Sequence, residues 1–322
     1  MSNWLFLRGS WDERTQKSID DDDDMWVQLF RKLGDPNYDI WFLDRKETLT
    51  WITCGGKNIT KSSVEGLIKN INPALINVRK LVKQNLDYIF ARGGFDYYLP
   101  ILKKCPNAYK IRYGAGKRFV PEPEIDYQLI LVDTEKQKAD VLAKYPKANV
   151  HLFIKPAARH FKPLDVEKEY DVCYIANGQQ ARFKGIEWIY KTCPSDISIL
   201  HLGYPSKFKP PANVTCRRVD RIDMAREISR CKVGIVPYDS TDSCPRVIPE
   251  MLACGLPLVI LDTVNFWKDK YCCVVSNRDN FWKNVINSVD VKKEYVELIK
   301  KYYKIYLSLP IAAKHIKELI NG

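Results

Sequence analysis

The sequence predicts an α/β chain in two halves, each built from short buried strands that alternate with helices. Three observations carry this expectation. Apolar runs of strand length recur along the chain, each followed by a polar or glycine-containing loop and then a segment with helical spacing. Near the middle, Lys155-Pro-Ala-Ala-Arg-His-Phe-Lys-Pro163 breaks all periodicity with two prolines, as a linker does. A length of 322 residues suits two domains of ordinary size, and 46% hydrophobic residues suffice to fill two cores. The expected division is residues 1–160 and 161–322.

Trp4-Leu-Phe-Leu7 is the first buried strand, and Arg8-Gly-Ser-Trp11 reads as a tight loop after it. In a doubly wound half this loop faces the crevice at the strand ends, which makes Arg8, Gly9 and Ser10 candidates to line it. No Gly-x-Gly-x-x-Gly is present, so a dinucleotide fingerprint is absent. The acidic run Asp20–Asp24 precedes apolar residues at 25, 26, 29, 30 and 33, the spacing of a helix whose N-terminus favours acids. Two sharper roles for that run are a divalent-cation site and positioning of an acceptor. Tyr38–Leu43 is the second strand, and Lys46–Lys61 a loop or irregular hairpin. Asn72–Gln84 and Tyr97–Lys104 read as helices, Leu86–Ala91 and Ala108–Arg112 as strands. In Tyr113-Gly-Ala-Gly-Lys-Arg118 two glycines permit close backbone approach, and Arg112, Lys117 and Arg118 supply positive charge. Contact with a phosphate or a nucleic-acid backbone fits this loop, and a solvated basic loop is the plainer alternative. Gln128–Val132, Thr134–Lys144 and Val150–Ile154 close the half as strand, helix and strand.

The second half opens with strand Tyr170–Ile175, a loop over 176–185 and a helix from Ile186. Arg182 and Lys184 stand at that helix start, where positive charge is unfavourable unless an anion binds. Ile197–Leu202 and Val214–Val219 are strands, and Asp223–Cys231 a helix. The organising run follows. Val233–Tyr238 is a strand, Asp242–Pro245 a polar loop, and Val247–Cys254 a helix that tolerates Pro249 in its first turn. Gly255 stops the helix, Pro257 prevents its return, and Leu258–Leu261 is the next strand. Such a strand–loop–helix aims free N–H groups at one point and predicts an anion site. Glu250, beside it, suits the hydroxyls of a sugar or ribose. Cys273–Ser276 is a last strand, and Lys292–Ile320 is largely helical.

The pattern Asp242-x7-Glu250, followed by Ala253-Cys-Gly-Leu-Pro257 and an apolar strand, resembles the donor-site signature of GT-B glycosyltransferases, family 4 and its relatives in particular. Asp242 stands where that family usually has Glu. The resemblance implies GT-B architecture, two Rossmann-like domains facing each other across a cleft. The N-terminal domain would bind the acceptor and the C-terminal one the donor, with the last helix crossing back. It implies that Glu250 holds the donor ribose, and that Asp242 and the backbone of Ser243, Cys244, Pro245 and Arg246 hold the transferred sugar, beside Val247. Lys184-Gly185 matches one of two family elements that grip the diphosphate; the other falls on Gln179, and Arg182 is the candidate to supply its charge. Asp242, Glu250 and Lys184 are thus the expected catalytic residues. Gly9 and Ser10 would complete the donor site, and Arg8, Arg112, Lys117 and Arg118 the acceptor site. The implied reaction moves a sugar from a nucleotide-diphosphate sugar, a UDP-sugar first, to a hydroxyl. It retains configuration and needs no metal or other cofactor. Arg246-Val247 near Glu250 resembles, more loosely, phage DNA glucosyltransferases.

A net charge of +12 exceeds what a nucleotide-sugar needs and suggests a polyanionic acceptor, beside the plainer alternative of a Lys-rich surface. DNA carrying a hydroxymethylated base stands slightly ahead of a lipid-linked or surface glycan at an anionic membrane. A non-catalytic nucleotide-sugar or nucleic-acid binding protein is the third class. Ten cysteines without a Cys-x-x-Cys spacing fit reduced, mostly buried thiols, and only four histidines argue against a metal cluster. No apolar run has bilayer length and no basic-then-apolar leader opens the chain, so a cytoplasmic location is expected.

Overall fold

The structure, a computed structural model, describes residues 2–11, 24–34, 38–44, 49–53, 86–92, 95–115, 119–177, 181–203, 207–238, 244–264, 267, 272–291 and 293–322. The chain divides into two compact units, Met1–Phe153 with Ala312–Gly322, and Ile154–Ile311.

The first unit is built on a seven-stranded sheet. Its strands are β1 (Trp4–Trp11), β2 (Tyr38–Asp44), β3 (Leu49–Thr53), β4 (Tyr88–Arg92), β5 (Tyr109–Gly114), β6 (Leu129–Val132) and β7 (Val150–Leu152), in the order β3-β2-β1-β4-β5-β6-β7. All neighbours are parallel except β2 and β3: β3, inside the segment expected to be a loop or irregular hairpin, pairs antiparallel with the expected strand β2. Trp4, Leu5, Phe6 and Leu7 are all buried, as a strand covered on both faces requires. Arg8, Gly9 and Ser10 do not form the expected tight loop. They continue β1, because β2 runs on to Asp44 and pairs with Trp11, and a register shift between Arg8 and Trp11 absorbs the mismatch.

Helix α1 (Met25–Gly34) is capped by the last acid of the acidic run. Asp24 Oδ1 accepts from the N–H groups of Trp26 at 2.9 Å and Val27 at 3.1 Å, which satisfies two otherwise unpaired helix donors. Asp20–Asp23 and the expected helix Asn72–Gln84 lie outside the described residues. Helices α2 (Phe95–Lys104) and α3 (Glu135–Lys144) follow, the latter held by a reciprocal Thr134–Gln137 capping box.

Arg112, an expected acceptor contact, is instead part of the core. It lies on β5 with 0% exposure, and its guanidinium forks onto Glu122, with Nε and Nη2 each 3.1 Å from a carboxylate oxygen. Nη1 donates to the carbonyl of Tyr113 at 2.8 Å, and Tyr127 donates its hydroxyl to Glu122 at 2.7 Å. The side chain satisfies its charge inside the unit and presents none to a ligand. Lys117 and Arg118 lie outside the described residues.

The second unit holds β8 (Tyr170–Ile175), β9 (Ile199–Leu202), β10 (Val214–Arg217), β11 (Cys231–Val236), β12 (Leu258–Leu261) and β13 (Cys273–Ser276), all parallel, in the order β10-β9-β8-β11-β12-β13. Its helices are α4 (Ala181–Lys184), α5 (Ile186–Thr192), α6 (Met224–Ser229), α7 (Val247–Ala253), α8 (Phe281–Val289), α9 (Lys293–Tyr306) and the start of α10 (Leu309–Asn321). Strand order reverses between β8 and β11. In a doubly wound sheet the chains leaving such a strand pair diverge to opposite faces and open a crevice at the carboxyl ends.

Removing one partner of a buried ion pair leaves the other uncompensated. Arg112→Ala is therefore expected to destabilise the N-terminal unit by about 3–5 kcal/mol, read as a lowered urea midpoint. Arg112→Lys is expected to recover only part of the loss, because it lacks the fork.

Candidate functional site

Two connections leave β8 and β11 at the strand-order reversal, and each brings a charged residue. After β8 the chain forms α4 and then Gly185, which adopts φ 73°, a conformation that favours glycine. A Cβ at this position would come within 2.5 Å of the Pro237 carbonyl oxygen, so the Lys184–Gly185 turn seats directly on the end of β11. Tyr174 donates its hydroxyl to the Lys184 carbonyl at 2.7 Å. The Lys184 ammonium lies 3.6 Å from the ring centroid of Tyr238, a cation–π contact. Tyr238 is itself buried and donates to the carbonyl of Ile175 at 2.6 Å. Lys184 is thus fixed by both central strands. Burial, then the nearby charge of Arg246, lower its pKa to about 8; Glu250 opposes the shift and Lys155 adds to it.

After β11 the chain reaches α7, whose Glu250 is only 2% exposed. Its Oε1 accepts from Arg221 Nη2 at 2.6 Å and lies 3.2 Å from Arg246 Nε. Arg221 comes from the short 3₁₀ turn Arg221–Asp223 beyond β10, and its guanidinium lies 5.3 Å from the ring centroid of Phe161. His160 stacks near Phe161, with ring centroids 4.3 Å apart. Neither of its buried ring nitrogens completes a hydrogen bond, although the backbone of Arg221 lies beside it. Burial, followed by the charge of Arg221, pushes the His160 pKa down to about 4, so the imidazole is neutral near pH 7.

Lys184, Arg246 and Glu250, all expected site residues, are therefore electrostatically coupled at one place. Arg221, His160 and Lys155 join them without having been singled out as site residues. Cys244 and Pro245 are buried, the Pro245 carbonyl accepts from the N–H of Ile248 at 3.1 Å, and Val247 is half-buried at the start of α7. The side chains of Arg182, Arg8, Gly9 and Ser10, and the whole of Asp242 and Ser243, lie outside the described residues. The helix after β11 has only seven residues and carries Glu250 in its first turn, so the anion attraction expected of its N-terminus is small. The positive potential comes from side chains instead. Lys184 and Arg246 lie beside the Glu250 carboxylate, which Arg221 also contacts, and Lys155 lies near Lys184, a gathering of cations suited to a multiply charged anion. Among the described residues no group of three His, Cys, Asp or Glu side chains is placed to hold a metal ion. No helix among them is long and apolar enough to cross a membrane.

No family model matches the chain, and no curated protein matches it by sequence. Its likeness to solved structures is extensive. HepE from Anabaena in complex with UDP-glucose is 10% identical with a TM-score of 0.66, over 100% of both chains. The DNA modifying enzyme β-glucosyltransferase, studied with and without uridine diphosphoglucose, is 11% identical with a TM-score of 0.59, over 99% of this chain and 100% of that one. TarM is 12% identical with a TM-score of 0.59 over 86% of this chain, which spans 62% of TarM. At such low identity the likeness establishes the fold, and that fold is the GT-B type, with two Rossmann-like α/β domains.

Proposed function

We propose that the chain is a glycosyltransferase that moves a sugar from a nucleotide-diphosphate sugar, a UDP-sugar first, to a hydroxyl acceptor. The observation that carries this is the gathering of Lys184, Arg246 and Lys155 at the strand-order reversal. Lys184 is half-buried beside Arg246 and Lys155, and its partial burial, then Arg246, hold its pKa down to about 8. A lysine so placed gains stabilisation when an anion arrives, and the diphosphate of a donor supplies one. During transfer the leaving diphosphate gathers negative charge. Lys184 and Arg246, already oriented, stabilise that charge without reorganisation. Cations on the leaving group take the part a divalent metal plays elsewhere, which supports a metal-independent reaction; retention of configuration follows from the family resemblance alone. Glu250 Oε2 accepts from the ribose hydroxyls, and Asp242 with the following backbone holds the transferred sugar.

The acceptor we propose is duplex DNA bearing a hydroxymethylated base. Two facts support it: the net charge of +12 and the likeness to a DNA-modifying glucosyltransferase. Such a base must leave the helical stack to reach the donor. Lys117 and Arg118 remain candidates for the DNA backbone, whereas Arg112 is committed to Glu122.

Transfer is tested with radiolabelled UDP-sugars, hydroxymethylated duplex DNA and, separately, anionic vesicles carrying a glycan lipid. Label on DNA, suppressed by rising salt, is the expected result. Label on the lipid would move the acceptor to a membrane glycan. Failure to bind or turn over any nucleotide-sugar would leave a non-catalytic binder.

The Lys184 proposal has a signed pH dependence. UDP affinity is expected to fall as pH rises through about 8, because the protonated ammonium is the binding form. Ligand-free stability is expected to move the other way. The folded-state pKa of about 8 lies below the ordinary 10.5, so the unfolded chain binds more protons between those values and this contribution to stability rises with pH. In Lys184→Met, titration calorimetry is expected to show UDP affinity weakened by about 10- to 100-fold, as loss of a charged hydrogen bond implies, with the step near pH 8 gone.

A further inference from the structure

Glu250 has two acceptor oxygens, and both guanidinium contacts fall on the same one, Oε1. The two arginines are not equivalent. Arg246 lies 3.2 Å away with its side chain 45% exposed, next to Lys184, where a diphosphate would draw it. Arg221 lies at 2.6 Å with its side chain 22% exposed, seated over Phe161 and set in the turn that leads into α6. It is the shorter and more buried contact. His160 does not compete for the carboxylate, since its ring nitrogens make no hydrogen bond with it.

We propose that Arg221 is the positioning residue of Glu250: it occupies Oε1, turns Oε2 toward the ribose hydroxyls, and thereby sets a preference for a ribonucleotide over its 2′-deoxy counterpart. The inference rests on the donor-site reading above and adds to it a residue that touches neither phosphate nor sugar. Its physical basis is directional. A carboxylate free to rotate about its last torsion meets one hydroxyl almost as well as two. One pinned by a guanidinium offers its second oxygen in a single direction, where the vicinal hydroxyls of ribose both reach it. A site built to accept from a hydroxyl discriminates strongly against the analogue that lacks it.

The test measures binding of UDP, 2′-deoxy-UDP and inorganic pyrophosphate to the full chain by titration calorimetry. Wild type is expected to prefer UDP over 2′-deoxy-UDP by about tenfold or more. In Arg221→Gln the ratio is expected to fall to about one to two, with pyrophosphate affinity unchanged; Arg221→Lys should lie between. A merely structural arginine would move all three ligands together. A preserved ratio in Arg221→Gln, a parallel loss of pyrophosphate binding, or no discrimination by wild type each overturns the inference while leaving the donor site standing. If wild type binds neither nucleotide, the donor-site reading falls and the inference with it. Should Arg221→Gln fail to fold, Arg221→Lys decides, since a ratio equal to wild type overturns the proposal.

Discussion

Glu250 is a carboxylate removed from water, and much of the C-terminal unit is arranged around supplying it with partners. A charge taken into a protein interior costs several kcal/mol unless it is paired and hydrogen-bonded. Here the partners come from separate places in the chain. Arg221 follows β10, Arg246 precedes α7, and Lys184 follows β8. Parallel pairing brings the ends of these strands to one side, and the order β10-β9-β8-β11-β12-β13 makes β8 and β11 neighbours. The electrostatic requirement and the topology therefore describe the same constraint, and the crevice is where it is met.

Several cations gather near Glu250, and their crowding shows in Lys184, whose pKa is lowered by burial and then by Arg246. Cations that crowd one another favour the arrival of an anion, and the turn that carries Lys184 is tightly seated. Gly185 makes that seating possible, because any side chain would meet the Pro237 carbonyl. Backbone conformation, packing and affinity for an anion are linked through one residue without a side chain.

The strands of both units were legible because buried parallel strands leave continuous apolar runs, and Tyr170–Ile175, Leu258–Leu261 and Cys273–Ser276 stand where the sequence put them. That Lys184, Arg246 and Glu250 come together was legible through local motifs, each in the connection that follows a central strand. Arg221 and His160 were not. No spacing along the chain ties residue 221 to residue 250, since the two meet only after β10 and β11 are laid into one sheet. The continuation of β1 through Gly9 and Ser10 was hidden for a related reason. A glycine-serine pair signals a turn locally, but the length of the neighbouring β2 decides whether the strand goes on.

Arg112 shows why charge in a sequence overstates what a surface presents. It borders a basic loop with two glycines, a composition that permits contact with a phosphate. Yet the strand extends to Gly114, placing Arg112 in the interior with Glu122 and Tyr127. Arg221 makes the complementary point, since it spends its charge on Glu250 and contributes to a ligand only through the direction it imposes. Of the basic residues near the strand ends, those expected to meet an anion are Lys184, whose pKa is held down by burial and by Arg246, and Arg246 itself, whose side chain is 45% exposed. The surroundings of a charge, more than the count of charges, separate a binding cation from a structural one.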